Sequence, residues 1–233
     1  MSIFKKIVKK RNLKLFIKKL FLIYKRLPSI NHKKWFEIDG DNTLRVNYNL
    51  NSESVFVEVG GYKGFYSKKI YDKFKPKTYI FEPDINFVKD LKLLFEKNVD
   101  VKIIDKALGN KTGDVYLVEK GDSSFVENIK NESHSSQKVR MISFDEFLKT
   151  EDIETIDLIS INIEGGEYQL IEHIINNNLI TKIINLQIQF HKNVKNHSKL
   201  KASISKQLSE THNIEWSYNY VWESWKLKDT FSK

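Results

Sequence analysis

Apolar positions along the chain change period several times. In residues 1–26, Ile3, Phe4, Ile7 and Val8 share one helical face, and a second stripe follows at Leu13, Phe16, Ile17, Leu20, Phe21, Ile23 and Tyr24, with lysines opposite both. Its longest unbroken apolar run, Leu20 to Tyr24, is far short of the ~20 residues that span a bilayer. Next, Trp35–Ile38 and Leu44–Tyr48 read as short strands around the turn at 39–42. Buried strands then alternate with helices. Strands are predicted at Val55–Val59, Thr78–Phe81, Val101–Ile104, Asp157–Ile163 and Ile183–Phe190, and helices at Phe65–Phe74, Asn86–Lys97, Phe144–Lys149, Tyr168–Asn176 and 198–211. An insertion carries a hairpin around Lys111–Asp114 and a polar loop at 127–137, and two strands close the chain. On the last, Trp216, Tyr218, Tyr220 and Trp222 recur at every second position, a face suited to packing beneath a helix. Apolar strands alternating with helices predict an α/β fold around an open, mostly parallel sheet covered on both faces.

Composition adds two constraints. The 233 residues, 40% hydrophobic and 12% aromatic, provide a sizeable core, and the absence of cysteine removes disulfides and thiolate chemistry. The net charge of +9 is concentrated: residues 1–26 hold ten Lys/Arg and no acid, leaving 29 basic against 30 acidic residues in the remainder. This distribution argues against a nucleic-acid partner and points instead to an anionic membrane surface for residues 1–26. The organisation expected is a basic amphipathic helical segment over 1–28 and one domain over 33–233.

Ligands of such sheets bind at the carboxyl ends of the strands, near the topological switch point. The first strand runs into Glu58-Val59-Gly60-Gly61-Tyr62-Lys63-Gly64, where the glycines permit a tight turn and close approach of a ligand to backbone N–H groups. Glu82 ends the second strand and is placed to accept hydrogen bonds from the two hydroxyls of a ribose. A nicotinamide cofactor would call for G-x-G-x-x-G, whose first position is Val59 here; the acidic-x-Gly-x-x-x-Gly form of a methyltransferase is met by Glu58, Gly60 and Gly64. The Pro-containing turn typical of amino-group methylation of nucleic-acid bases is absent, since the three prolines are Pro28, Pro76 and Pro83.

The chain resembles the FkbM family of S-adenosylmethionine-dependent methyltransferases over about residues 40–226. The resemblance lies in Val57–Gly64, Phe81-Glu82-Pro83, Ala107-Leu108-Gly109, Asp122-Ser123-Ser124, Ile161-Asn162-Ile163-Glu164-Gly165-Gly166-Glu167 and Gln187–His191. The family commonly carries Lys-Ile-Asp-Val-Glu-Gly in the fourth strand, so Ser160 and Asn162 depart from it. The resemblance implies a Rossmann-like class I methyltransferase fold, a mostly parallel seven-stranded sheet with helices on both faces. It further implies O-methylation, often of a sugar or small metabolite, which suggests a role in polysaccharide biosynthesis.

Placed on that fold, Glu58, Gly60, Gly61, Tyr62, Gly64 and Glu82 would hold the cofactor, with Asp105 and Lys106 bordering the adenine. A hydroxyl acceptor must lose a proton as it attacks, which requires a base or a metal. His191 is the first candidate for the base and Glu164 the second, with Asn162 beside them; Ser123 and Ser124 could line the acceptor cleft. A divalent ion through Asn162, Glu164 and His191 is an open alternative. The expectation is a cytoplasmic enzyme, peripheral at the inner membrane face through residues 1–26, acting on a small-molecule or glycan acceptor. The competing reading is a catalytically degenerate module of the same fold held at the membrane.

Overall fold

The computed structural model describes residues 29–120, 123–127 and 136–231, so the amphipathic pattern of residues 1–26 and most of the polar loop at 127–137 lie outside the described residues. Helix α1 (Ile30–Glu37) is capped by Ser29, whose hydroxyl accepts the His32 N–H. It occupies residues expected as a strand. Trp35 is its one buried residue, while the neighbouring Phe36 is 66% exposed, a helical division of faces. Residues Leu44–Val46, also expected as a strand, form a single 3-10 turn.

Beyond them the strand–helix alternation holds closely. In order come β1 (Val55–Val59), α2 (Phe65–Phe74), β2 (Lys77–Phe81), α3 (Ile85–Leu94), β3 (Val101–Ile104), β4 (Ala107–Gly109), β5 (Gly113–Lys120), β6 (Ser123–Glu127), β7 (Ser136–Ser143), α4 (Phe144–Thr150), β8 (Ile156–Ile161), α5 (Glu167–Asn176), β9 (Ile183–Ile188), α6 (His197–Thr211), β10 (His212–Tyr218) and β11 (Trp222–Leu227). Seven strands form one sheet in the order β10-β11-β9-β8-β1-β2-β3, parallel except for β11.

The hairpin expected around 111–114 does not form. Strand β4 pairs with β7 in parallel and β7 lies between β4 and β5, giving a second sheet ordered β4-β7-β5-β6. The hairpin of this region is instead β5–β6.

Strand alternation divides the two faces of the large sheet. Val57, Val59, Ile159, Ile161, Leu186 and Ile188 point to one side, where Phe144, Phe147, Leu170, Ile171, Ile174, Ile204 and Leu208 from α4, α5 and α6 cover them. Each such fully buried aliphatic or aromatic side chain contributes about 1.5–3 kcal/mol. The other face carries Phe56 and Leu158 under Tyr66 and Ile70 of α2, and Ile80 under Leu91 of α3. On this second face one register row is polar: Glu58, Ser160, Gln187 and Ser224, all buried. The aromatic alternation at 216–222 spans a turn rather than one strand. Trp216 and Tyr218 on β10 meet Trp222 on β11 and pack with Trp35, whereas Tyr220, in the left-handed region, turns to His197 (Oη to Nδ1, 2.7 Å).

Candidate functional site

The chain leaves β1 toward β2 on one side and returns through β8 on the other, so the switch point lies between β1 and β8. There Gly60 has φ +92°, and a Cβ on it would stand 2.2 Å from the carbonyl oxygen of Asn162. Only glycine lets the ends of the two strands meet. The Asn162 N–H returns a hydrogen bond to Val59 O at 3.0 Å, while the Asn162 side chain is exposed. Gly60 and Gly61 both donate to Phe81 O at 3.0 Å, binding the turn to β2, and Gly64, at φ +73°, opens α2 against Leu91.

Two acids flank this turn. Glu82 is buried, with Oε2 accepting the Tyr62 N–H at 2.8 Å and Oε1 the Asp84 N–H at 2.9 Å. Burial raises its pKa against the pull of those two N–H donors. Its carboxylate is thereby fixed at the end of β2, and Tyr62 is held in the left-handed region with its ring 4.5 Å from that of Phe87. Glu58 is buried, at 6% exposure, and Ser67 donates a hydrogen bond to Oε2. Burial pushes its pKa up to about 7, against the Ser67 hydrogen bond and the positive charge of Arg45. Asp105 and Lys106 follow β3, adjacent to Glu82 through the Glu82 N–H bond to Ile104 O, with Asp105 exposed and Lys106 half-buried.

Across the switch point, the ends of β8 and β9 bring together a trio that sequence reasoning saw only in part. His191 Nδ1 lies 3.2 Å from Oε1 of Glu167, and Nε2 lies 3.4 Å from Oε1 of Glu164. Glu167, fully buried, also accepts the backbone N–H of His191 and of Gly165, each at 2.8 Å, and Tyr168 Oη donates to His191 O at 2.7 Å. Burial of the imidazole disfavours its charge, but the two carboxylates prevail and raise the His191 pKa to about 9. Glu164 is a third exposed, and the hydrogen bond from His191 lowers its pKa. Its backbone, at φ +52°, is secured by Asn193 Nδ2 donating to Glu164 O at 2.8 Å. Glu167 follows the Gly-Gly pair at the first position of α5, and the signal that could have found it was the acid in Gly165-Gly166-Glu167.

The polar row holds the other residue that the sequence did not single out. The Arg45 guanidinium sits over the rings of both Tyr66 and Trp222, with Cζ 3.8 and 3.7 Å from their centroids. Its Nε donates to Gln187 Oε1 at 3.2 Å and its Nη1 to Asp41 at 3.1 Å. Gln187 Nε2 in turn lies within hydrogen-bonding distance of Arg45 O, Tyr48 Oη and Tyr66 Oη. Ser160, where the resembled pattern has lysine, is a buried member of this row, and Arg45 supplies a cation on the same face.

Ser123 and Ser124 open strand β6 in the second sheet; their side chains lie outside the described residues. Among the described residues no group of three or more His, Asp or Glu side chains is disposed to hold a metal ion, and both ring nitrogens of His191 already face carboxylates. Among the described residues, too, no helix is long and apolar enough to cross a membrane.

The chemistry of the donors fits an adenosine cofactor carrying an amino-acid end: a fixed carboxylate for ribose hydroxyls at Glu82, a glycine turn open to close approach, and a buried carboxyl and a buried cation at Glu58 and Arg45. A family model described as the methyltransferase FkbM domain matches residues 58–218. No curated protein sequence matches the chain. Among solved structures it is similar to TrmK of M. capricolum in complex with S-adenosyl-homocysteine, with TM-score 0.45 and 17% identity over 83% of this chain and 68% of that one. It is also similar to an rRNA methylase from Streptococcus thermophilus, with TM-score 0.45 and 12% identity over 82% of this chain and 94% of that one.

Proposed function

The chain belongs to the FkbM family of methyltransferases, and on that premise we propose that it methylates a hydroxyl of a sugar, or of a glycan or glycolipid precursor, with S-adenosylmethionine as donor. The observation that carries the reading is the His191–Glu164–Glu167 trio, which stands across the switch point from Glu82 and offers a proton acceptor where an acceptor hydroxyl would meet the donor.

S-adenosylmethionine supplies an electrophilic methyl group on a sulfonium, which an oxygen displaces in line. Glu82 would accept from its ribose hydroxyls, Gly60, Gly61, Tyr62 and Gly64 would line its path, Glu58 would face its ammonium, and Asp105 and Lys106 would border its adenine. The rest of the chemistry falls to the trio. With its pKa at about 9, His191 is an imidazolium at neutral pH, and its two ring N–H groups face Glu167 and Glu164. His191 is therefore the positioning group, kept in place by Glu167. Glu164, the partly exposed member, is the group that takes the acceptor's proton as the oxygen attacks. This reverses the order read from the sequence, in which His191 came first. Orientation of the hydroxyl by Glu164 and Asn162 supplies much of the acceleration in a displacement of this kind.

The near-neutral charge outside residues 1–26 supports a small-molecule or glycan acceptor over a nucleic acid. The basic amphipathic pattern of residues 1–26 supports peripheral attachment at an anionic inner membrane face, close to lipid-linked acceptors. The test is incubation with methyl-labelled S-adenosylmethionine and lipid-linked glycan precursors. Label recovered in a sugar and stable to alkali, as a methyl ether is, supports the reading; label confined to alkali-labile esters or to RNA contradicts it.

A further inference from the structure

We propose that Arg45 binds the carboxylate of the cofactor's amino-acid end, pairing with Glu58 to receive the two charges of that zwitterion. The assignment rests on the cofactor reading above and adds a residue to it.

Three observations carry it. Among the described residues, Arg45 is the one lysine or arginine that is buried, at 9% exposure, and its guanidinium is held over the rings of Tyr66 and Trp222. Two of its three nitrogens are engaged, Nε with Gln187 and Nη1 with Asp41, while Nη2 has no partner among the described residues. A guanidinium fixed by stacking and by its other two nitrogens, with donors to spare, is preorganised for a carboxylate. Its position matches as well. Tyr66, which stacks on Arg45 and donates its hydroxyl to Arg45 O at 2.8 Å, adjoins Ser67, the donor to Glu58. Both lie in the first turn of α2, directly after the glycine turn. Arg45 and Glu58 are thus both tied to the first turn of α2, one cation and one carboxyl where a zwitterion requires both. The anions elsewhere along the strand ends, Glu82, Glu164 and Glu167, would repel a carboxylate.

The test compares S-adenosylmethionine with its decarboxylated analogue, which keeps the sulfonium and the amino group and lacks only the carboxylate. Calorimetric titration of the full chain should show the parent cofactor binding about tenfold to a hundredfold more tightly than the analogue, the range expected for a charge-assisted hydrogen bond. In Arg45→Met the two ligands should bind alike, through loss of the parent's advantage and little change in the analogue. Arg45→Lys, which keeps the charge and the stem, guards against a fold lost with the larger change, and there the discrimination should fall part of the way. Equal binding of the two ligands by the unaltered protein, or full discrimination retained by either variant, would overturn the assignment of Arg45 alone. An unaltered protein that binds neither ligand would overturn the cofactor reading itself.

Discussion

Oε1 of Glu167 accepts the backbone N–H of His191 at 2.8 Å and lies 3.2 Å from Nδ1 of the same residue, so one buried carboxylate fixes both the main chain and the ring. A neutral amide in its place would remove one of the two charges that hold the imidazole protonated. Glu167→Gln should bring the His191 pKa down from about 9 toward its ordinary value of 6.5. Proton NMR titration of the ring resonances reads this directly, and a ring that still titrates near 9 would show that Glu164 alone holds the charge.

The same interaction links pH to stability. His191 has a folded pKa above its unfolded value, so its contribution is full below about pH 6.5 and is lost as pH rises toward 9. It amounts to at most about 3 kcal/mol. Urea unfolding at pH 6 and pH 9.5 should show the loss, and His191→Asn should flatten it.

Glu58 moves stability in the same direction over a lower pH window. Its carboxyl is raised to about 7 by burial, so in the unliganded protein it costs stability as pH climbs from about 4.5 through 7 and the buried group becomes charged. A cofactor that places an ammonium beside it would favour the ionised form. Binding of S-adenosylmethionine at pH 6.5 should therefore release a proton, visible as a dependence of the calorimetric heat on the buffer's ionisation enthalpy. Glu58→Gln should abolish that dependence.

Gly60→Ala places a methyl group 2.2 Å from the Asn162 carbonyl at a φ of +92°. Neither strand end can yield without breaking the Asn162–Val59 hydrogen bond. The expected cost is about 3 kcal/mol or more in thermal or denaturant unfolding, together with loss of cofactor binding.

Removal of residues 1–26 should leave cofactor binding intact and abolish sedimentation with anionic vesicles at low salt. Vesicle binding that persists unchanged would place the lipid contact elsewhere in the chain.

Much of the large sheet was legible in the sequence because its strands are short apolar runs bounded by breakers. Val55–Val59, Phe65–Phe74 and Val101–Ile104 were bounded to the residue. The misreadings share a cause. Trp35-Phe36-Glu37-Ile38 is too short a run for periodicity to separate helix from strand, and the deciding facts are the Ser29 cap and the docking of Trp35 on Trp216 and Tyr218. The turn at 111–114 promised a hairpin, but local chemistry does not reveal that β7 enters between β4 and β5. Around the switch point, the positions of Glu58, Glu82 and the glycines could be read because they lie on one continuous β1–α2–β2 unit. Arg45 could not, since an arginine reads as a surface residue until Tyr66 and Trp222, distant in sequence, are seen to enclose it.

The central claim is that the end of β2 holds an adenosine cofactor through Glu82, and calorimetric titration with S-adenosylmethionine of the full chain beside its Glu82→Ala variant tests it most directly. The account predicts micromolar binding that the variant loses while remaining folded. A folded, unaltered protein that gives no binding heat across buffers and temperatures, or a variant that binds as tightly as the parent, would contradict it.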